Sequence, residues 1–359
     1  MRKDDEETMF YDRKSYYDQI EKEYGGKVIA YITGDRPGFE TKIAPDVIDL
    51  FIDHLDKIGS VNRIVLYLYT RGGDISAAWN IVNLLRMYCE DLVVIVPHKA
   101  HSSGTIISLG ANKIIMTKQA TLSPIDPSLN NPLNPIIPAQ VGHGTFPVSV
   151  EAVKGYIELA KSEFGIKDDA SLGNILIGLA DKVHPLVLGQ VYRTRGQIKR
   201  IAGKLLKNQV QDATQVGKIT DFLCSDSGSH DYTINRREAT EELKLNVDKP
   251  TLEQYNIIKQ LYDDFSAELG LREVFNPAIV NGTFAIRRGF IESLDCGSDY
   301  FITEGRASVT MTPNGPANSV DVIFEGWRHD NPVQHNQVAQ AITREGVSVE
   351  YEQTDEFKL

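Results

Sequence analysis

The sequence predicts an α/β protein built on a mainly parallel sheet, and three observations carry that prediction. Short β-branched runs alternate with amphipathic stretches through the first two-thirds of the chain. The second run, NRIVLYLYT (62–70), is apolar almost without a break, as a strand covered on both faces must be. Two loops rich in glycine or serine each lie between a strand and a helix, which is how parallel strands are connected.

In order, KVIAYIT (27–33) reads as a strand. Residues 43–58 read as a helix, with Pro45 suited to its first turn and Val47, Ile48, Leu50, Phe51 and Leu55 on one side. The strand 62–70 runs into the loop Thr70-Arg71-Gly72-Gly73-Asp74 and a helix over 76–88 striped by Trp79, Val82 and Leu85. DLVVIVP (91–97) is a strand, followed by a loop with His98, His101, Ser102, Ser103 and Gly104, a helix over 105–111 and the strand KIIM (113–116). From Val148 to Phe265 the pattern is mostly helical, and Asn235 with Glu238 and Thr251 with Gln254 have capping-box spacing. Beyond Asn281 the period drops toward two. The expected organisation is an amino-terminal arm (1–24), a main domain with a helical extension (25–280), a β-rich appendage (281–347) and a mobile tail (348–359).

The 359 residues are 42% hydrophobic and 24% charged, which excludes a disordered or fibrous chain. Cys89, Cys224 and Cys296 are odd in number and far apart, so neither a disulfide framework nor a metal site is expected. A net charge of −11 argues against nucleic acid as a partner, although Arg193, Arg195, Lys199, Arg200, Lys204 and Lys207 form a run without an acid. The charged start, MRKDDEETMF, and the short apolar runs lead to the expectation of a cytoplasmic protein with no membrane span.

The two loops carry the chemistry. A glycine pair lets backbone N–H groups face a ligand, and a serine at a helix mouth sits at the positive end of the helix dipole. Gly-Gly after a strand also suits an ordinary turn, and Ser-Ser-Gly an ordinary helix cap. Together, in this order, they fit a nucleophile and an oxyanion hole. His143 lies in a Pro/Gly/Asn-rich stretch (130–147) whose length suits a lid or substrate-binding loop.

The segments YTRGGD, VPHKAHSSGT, ANKIIM and LSPIDPS resemble, in order, those of the serine dehydrogenase proteinase (SDH) family, a relative of the Clp protease proteolytic subunit and of signal peptide peptidase A. SGSHDYTINRREATEELKLNV (227–247) is similar to that family's histidine segment, and the resemblance covers residues 25–250. It implies a Clp/crotonase-like spiral of β-β-α units with the helical extension and the carboxyl-terminal β-rich appendage. It also implies a cofactor-free serine peptidase with Ser102 as nucleophile, His230 as base, Asp126 orienting the histidine, and the N–H groups of Gly73 and Ser103 as the oxyanion hole. Arg71, His101, Ser103, Ser123 and Thr233 depart from the family pattern. Asp231 is a rival to Asp126, and His101 or Lys154 is an alternative base, the lysine giving a Ser/Lys dyad.

The substrate implied is a peptide or unfolded protein. Homo-oligomers are implied by the related families and by the stripes on 44–58 and 76–88. No Walker A loop is present, so any ATP dependence would need an ATPase or adaptor partner. A crotonase-type acyl-CoA enzyme and a catalytically silent oligomeric scaffold are the alternatives of other classes.

Overall fold

The structure, a computed structural model, describes residues 9–125, 128–129, 132–138, 143–145, 148–226, 232–276, 280, 282–312 and 315–330. The chain opens with α1 (Met9–Tyr24), β1 (Lys27–Thr33), α2 (Val47–Ile58), β2 (Val61–Tyr69), α3 (Ile75–Tyr88), β3 (Cys89–Val96), β4 (Lys99–Ala100), α4 (Ser103–Leu109), β5 (Lys113–Met116) and β6 (Thr121–Leu122). Two small ladders follow, β7 (Ser128–Leu129) with β10 (Val148–Ser149) and β8 (Ile136–Pro138) with β9 (His143–Thr145). The helical part holds α5 (Val150–Glu158), α6 (Asp169–Ala180), α7 (Pro185–Leu206) and α8 (Ala213–Asp221). Then come β11 (Ile234–Asn235), α9 (Arg236–Glu241), β12 (Val247–Asp248), α10 (Leu252–Glu268), β13 (Gly282–Ser293), β14 (Gly297–Thr312) and β15 (Gly315–Asp330).

One eight-stranded sheet organises the molecule, in the order β12-β5-β3-β2-β1-β13-β14-β15. Its first five strands are parallel and the last three antiparallel. The apolar run of β2 is covered on both faces. Ile64, Leu66 and Leu68 enter the cluster with α2, α3 and α4, while Val65, Tyr67 and Tyr69 enter the cluster with α1 and α10. This is the period of two of a strand used twice over.

The α/β class, the helical extension and the carboxyl-terminal strands are as the sequence predicts. Three details differ. The helix expected over 43–58 begins at Val47, because Ile43 pairs with Gly73 as an isolated parallel bridge. The helix expected over 105–111 begins earlier, at Ser103. The strands of the expected appendage extend the main sheet, since β13 pairs with β1 from Thr33↔Gly289 to Ala30↔Glu292. An alternating sequence announces a strand and says nothing of which edge it joins.

The expected arm is likewise docked. Arg13 of α1 is fully buried; its Nε and Nη2 donate to Glu292 at 3.0 and 2.7 Å, and its Nη1 to Asp264 and Glu268 at 2.6 Å each. Tyr17 OH and Ser298 Oγ also donate to Glu292. On the stripes expected to face both the sheet and a neighbouring subunit, Val47, Phe51 and Leu55 of α2 and Val82 and Leu85 of α3 are buried, while Ile48, Leu50 and Trp79 are half-buried.

Candidate functional site

The strand-to-loop corner after β2 is held by threonines. Thr33 Oγ1 donates to Thr70 Oγ1 at 2.7 Å, and Thr70 Oγ1 accepts the N–H of Gly72 at 2.9 Å. Ile43 N–H donates to Gly72 O and Asp74 N–H to Ile43 O, so the bridge uses the residues on either side of Gly73. The N–H of Gly73 itself has no partner among the described residues. Both glycines are required here: φ is +107° at Gly72 and +154° at Gly73, and a Cβ on Gly73 would stand 2.1 Å from Ile43 O. Asp74 then caps α3 by accepting from Ala77 N–H at 2.6 Å.

Ser102 sits at the other corner, between β4 and α4. Its backbone has φ +53° and ψ −115°, one of two positive-φ non-glycine residues among those described. Such a conformation costs about 1–3 kcal/mol and persists where the surroundings enforce it. The enforcement is visible. Ser102 N–H donates to Ser123 Oγ at 2.7 Å, Thr105 Oγ1 lies 3.0 Å from Ala100 O and 2.8 Å from Ser123 O, and Ser123 N–H donates back to Thr105 Oγ1. Ser102 does not cap α4 with its side chain. The two corners touch: a Cβ on Gly72 would meet Ser102 Cβ at 2.7 Å and Ser102 Oγ at 3.2 Å. As first residue of α4, Ser103 has an N–H with no partner among the described residues.

His101 is drawn away to Thr121, with Nε2 2.8 Å from Oγ1. Burial, with Lys99, His98 and Arg71 nearby, lowers its pKa to about 4, so the imidazole is neutral at physiological pH. His98 stacks on Tyr262 at 5.4 Å. Lys154 lies in α5 with a half-buried side chain, 3.4 Å from Glu158, on the wall of a 640 Å³ cavity between α5 and α7. His143 belongs to β9. Asp126, His230 and Asp231 lie outside the described residues. Their flanks are described: β6 and β11 pair antiparallel, Leu122 with Ile234 and Thr121 with Asn235. The strand that leads into Ser123 therefore lies beside the strand that follows the histidine segment.

Two features were missed by sequence reasoning. Ser123, read only as a departure from the family pattern, fixes the backbone of Ser102. A Ser–His–Asp set stands elsewhere: His54 Nδ1 is 2.7 Å from Ser293 Oγ and His54 Nε2 is 2.9 Å from Asp299 Oδ2, with His329 Nδ1 2.9 Å from the other Asp299 oxygen. Ser293 and His54 are wholly buried and Asp299 is 2% exposed, so no substrate reaches them; they tie α2 to β13 and β14. Only their meeting in space marks them, and no spacing in the chain announces it.

Among the described residues no helix is long and apolar enough to cross a membrane. An uncharacterized protein of Methanocaldococcus jannaschii is 33% identical over 199 residues, which is 55% of this chain and 58% of that protein, so the chain matches little more than half of that relative's length. Among solved structures, a mutant of the 1510-N membrane-bound stomatin-specific protease aligns with 64% of this chain and 83% of its own, at 17% identity and a TM-score of 0.33. ClpP1 from Listeria monocytogenes aligns with 66% and 99%, at 12% identity and a TM-score of 0.34. The glycine loop, the Ser102 corner and the Ser123 support all fall inside one segment, residues 57–145, and that segment matches the family of ClpP-like SDH-type serine proteinases.

Proposed function

We propose that the chain is a serine peptidase in which Ser102 attacks the scissile carbonyl and the N–H groups of Gly73 and Ser103 receive the oxyanion. The observation that carries this reading is the touching of the two corners: a serine at positive φ opening a helix, against a glycine loop whose free N–H is left over from the Ile43 bridge. A strained nucleophile at a strand-to-helix turn is exposed to substrate while its backbone is fixed, and donors set in advance cost no reorganisation when charge develops. Ser102 is partly exposed, as a nucleophile must be.

His230 takes the proton from Ser102 and Asp126 orients the imidazole. What supports the triad is the β6–β11 ladder, because Leu122 and Ile234, each four residues from one of these two side chains, are directly paired. The second reading is a dyad with Lys154, supported by its half-burial on a cavity wall. Peptides or unfolded segments are the substrate class, and the chain works as a homo-oligomer. A fluorophosphonate probe tests the core of the proposal: it should modify Ser102 alone, and labelling that persists in Ser102→Ala refutes it.

A further inference from the structure

The carboxyl ends of β1, β2 and β3 frame a polar cavity on the α10 side of the sheet, with a volume of about 320 Å³. Asp35 stands two residues beyond β1, Tyr69 is the last residue of β2, and His98 and Lys99 follow β3. Tyr262 comes from α10 and Arg272 from just beyond it. Open α/β sheets bind their ligands at the carboxyl ends of parallel strands, and this volume suits a small one.

The acids of the cavity are already matched. Asp35 accepts from Tyr69 OH at 2.6 Å and from Lys99 Nζ at 2.7 Å, one on each oxygen. Burial alone would raise its pKa, but these hydrogen bonds and the charge of Lys99 outweigh burial and hold the carboxyl below its ordinary value. Asp263 of α10 accepts from Lys259 and lies 3.8 Å from Arg272. Donors are left over. Lys99 spends on Asp35 one of its three N–H groups. Arg272 is 77% exposed, and the long contact to Asp263 is its one ion pair among the described residues. The His98 ring stacks on Tyr262 and makes no hydrogen bond among the described residues. Its Nδ1 is buried without a partner, which leaves Nε2 as the nitrogen a ligand can reach. Burial, then the charge of Lys99, lowers the pKa of His98, so the ring is neutral and its single proton belongs on Nε2, where an acceptor can take it.

The cavity adjoins the nucleophile. Lys99 O accepts Thr70 N–H at 3.1 Å, in the corner whose Thr70 side chain holds Gly72. Lys99 is three residues from Ser102, so their α-carbons are at most about 11 Å apart. That is the span of about three residues of extended peptide.

We propose that this cavity is a substrate subsite for a carboxylate, with Lys99 Nζ, His98 Nε2 and Arg272 as donors and Tyr69 and Tyr262 as walls. An ionised carboxylate only accepts hydrogen bonds, which complements a set of leftover donors. A cationic group would meet Lys99 and Arg272 and find both acids taken. The carboxylate comes either from an acidic side chain near the cut bond or from the free carboxyl end of a short peptide. The proposal rests on the peptidase reading for its substrate, and not for the site itself.

Ligand-observed NMR with the full chain carrying Ser102→Ala tests the site without turnover. N-acetylglutamic acid α-amide presents only a side-chain carboxylate, N-acetylalanine only a terminal one, and N-acetylglutamine amide neither. One of the two anions should bind about tenfold or more tighter than the neutral amide, as a hydrogen bond to a charged group does, and which one does so names the source. Adding Lys99→Met should abolish that preference, and Arg272→Gln, at an exposed position, should cut it about threefold. Circular dichroism reports whether Lys99→Met is folded, and Arg272→Gln decides if it is not. Equal binding of all three compounds, or a preference unchanged in the folded variants, overturns the site. With the wild type, two activated peptides that differ only in the favoured carboxylate should differ about tenfold in kcat/KM. Equal values overturn the subsite role and leave the peptidase standing. A wild type that neither cleaves nor takes a fluorophosphonate at Ser102 overturns the peptidase reading, and the binding result still decides the site.

Discussion

Replacing Gly73 by alanine is the sharpest test of the oxyanion loop. The new Cβ would lie 2.1 Å from Ile43 O and 2.5 Å from Ile43 N, and both are backbone atoms that no side-chain rotation can clear. The loop must shift by about 1 Å, and a misplacement of that size costs about 10²-fold in rate. Losing the aim of one oxyanion donor costs about 10²–10³-fold, or roughly 2.7–4 kcal/mol of barrier. The phosphonyl oxygen of a fluorophosphonate occupies the same hole, so the second-order labelling rate of Ser102 reads the effect without a known substrate. It should fall by about 10²–10³-fold. Gly38→Ala is the control: its φ is +87°, but nothing lies within 4 Å of the added atom, so it bears the conformational strain without the clash. It should lose about 1 kcal/mol of stability and label at the wild-type rate. A Gly73→Ala protein that is folded by circular dichroism and labels as fast as Gly38→Ala would refute the role given to this N–H.

Other predictions follow from particular contacts. His230→Ala should abolish most turnover of an activated peptide and Lys154→Ala should leave it within about tenfold; the opposite order makes the enzyme a Ser/Lys hydrolase and removes the role of Asp126. Ser123→Ala deletes the acceptor of Ser102 N–H and should cost about 1–3 kcal/mol, read in urea unfolding, together with slower labelling of Ser102; labelling at the wild-type rate would show that the strained backbone holds without it. Arg13→Leu leaves Glu292 fully buried without its bidentate partner, so unfolding free energy should drop by about 3–5 kcal/mol, and a loss below about 1 kcal/mol would show that the network is not what fastens α1. For His101 the folded pKa of about 4 lies below the unfolded value near 6.5. Its neutral form therefore contributes stability that is complete above about pH 6.5 and is lost as pH falls through 4. Urea midpoints across that window should be flatter in His101→Gln, and identical slopes would contradict the burial argument.

The sequence by itself determined what depends on local pattern. The strand Lys27–Thr33 and the strand Lys113–Met116 coincide with their expected bounds, because a β-branched run between turn residues has one conformation that buries it. Thr251 and Gln254 form the capping box their spacing allows, whereas Asn235 caps Glu238 N–H and Glu238 accepts from Tyr232 OH, a contact only the fold supplies. The glycine and serine loops were legible as a pair, and with them the candidate nucleophile. What tertiary structure alone decided is who supports them. Ile43 leaves its expected helix to bridge Gly73, Ser123 reaches across 21 residues to fix Ser102, and Arg13 meets Glu292 across 279. The edge of the sheet on which β13 would pair was equally undetermined. Periodicity records which face of an element is apolar, and it carries no information on which distant element will cover that face, since any surface of matching shape and polarity serves; the choice is made only when the whole chain is packed.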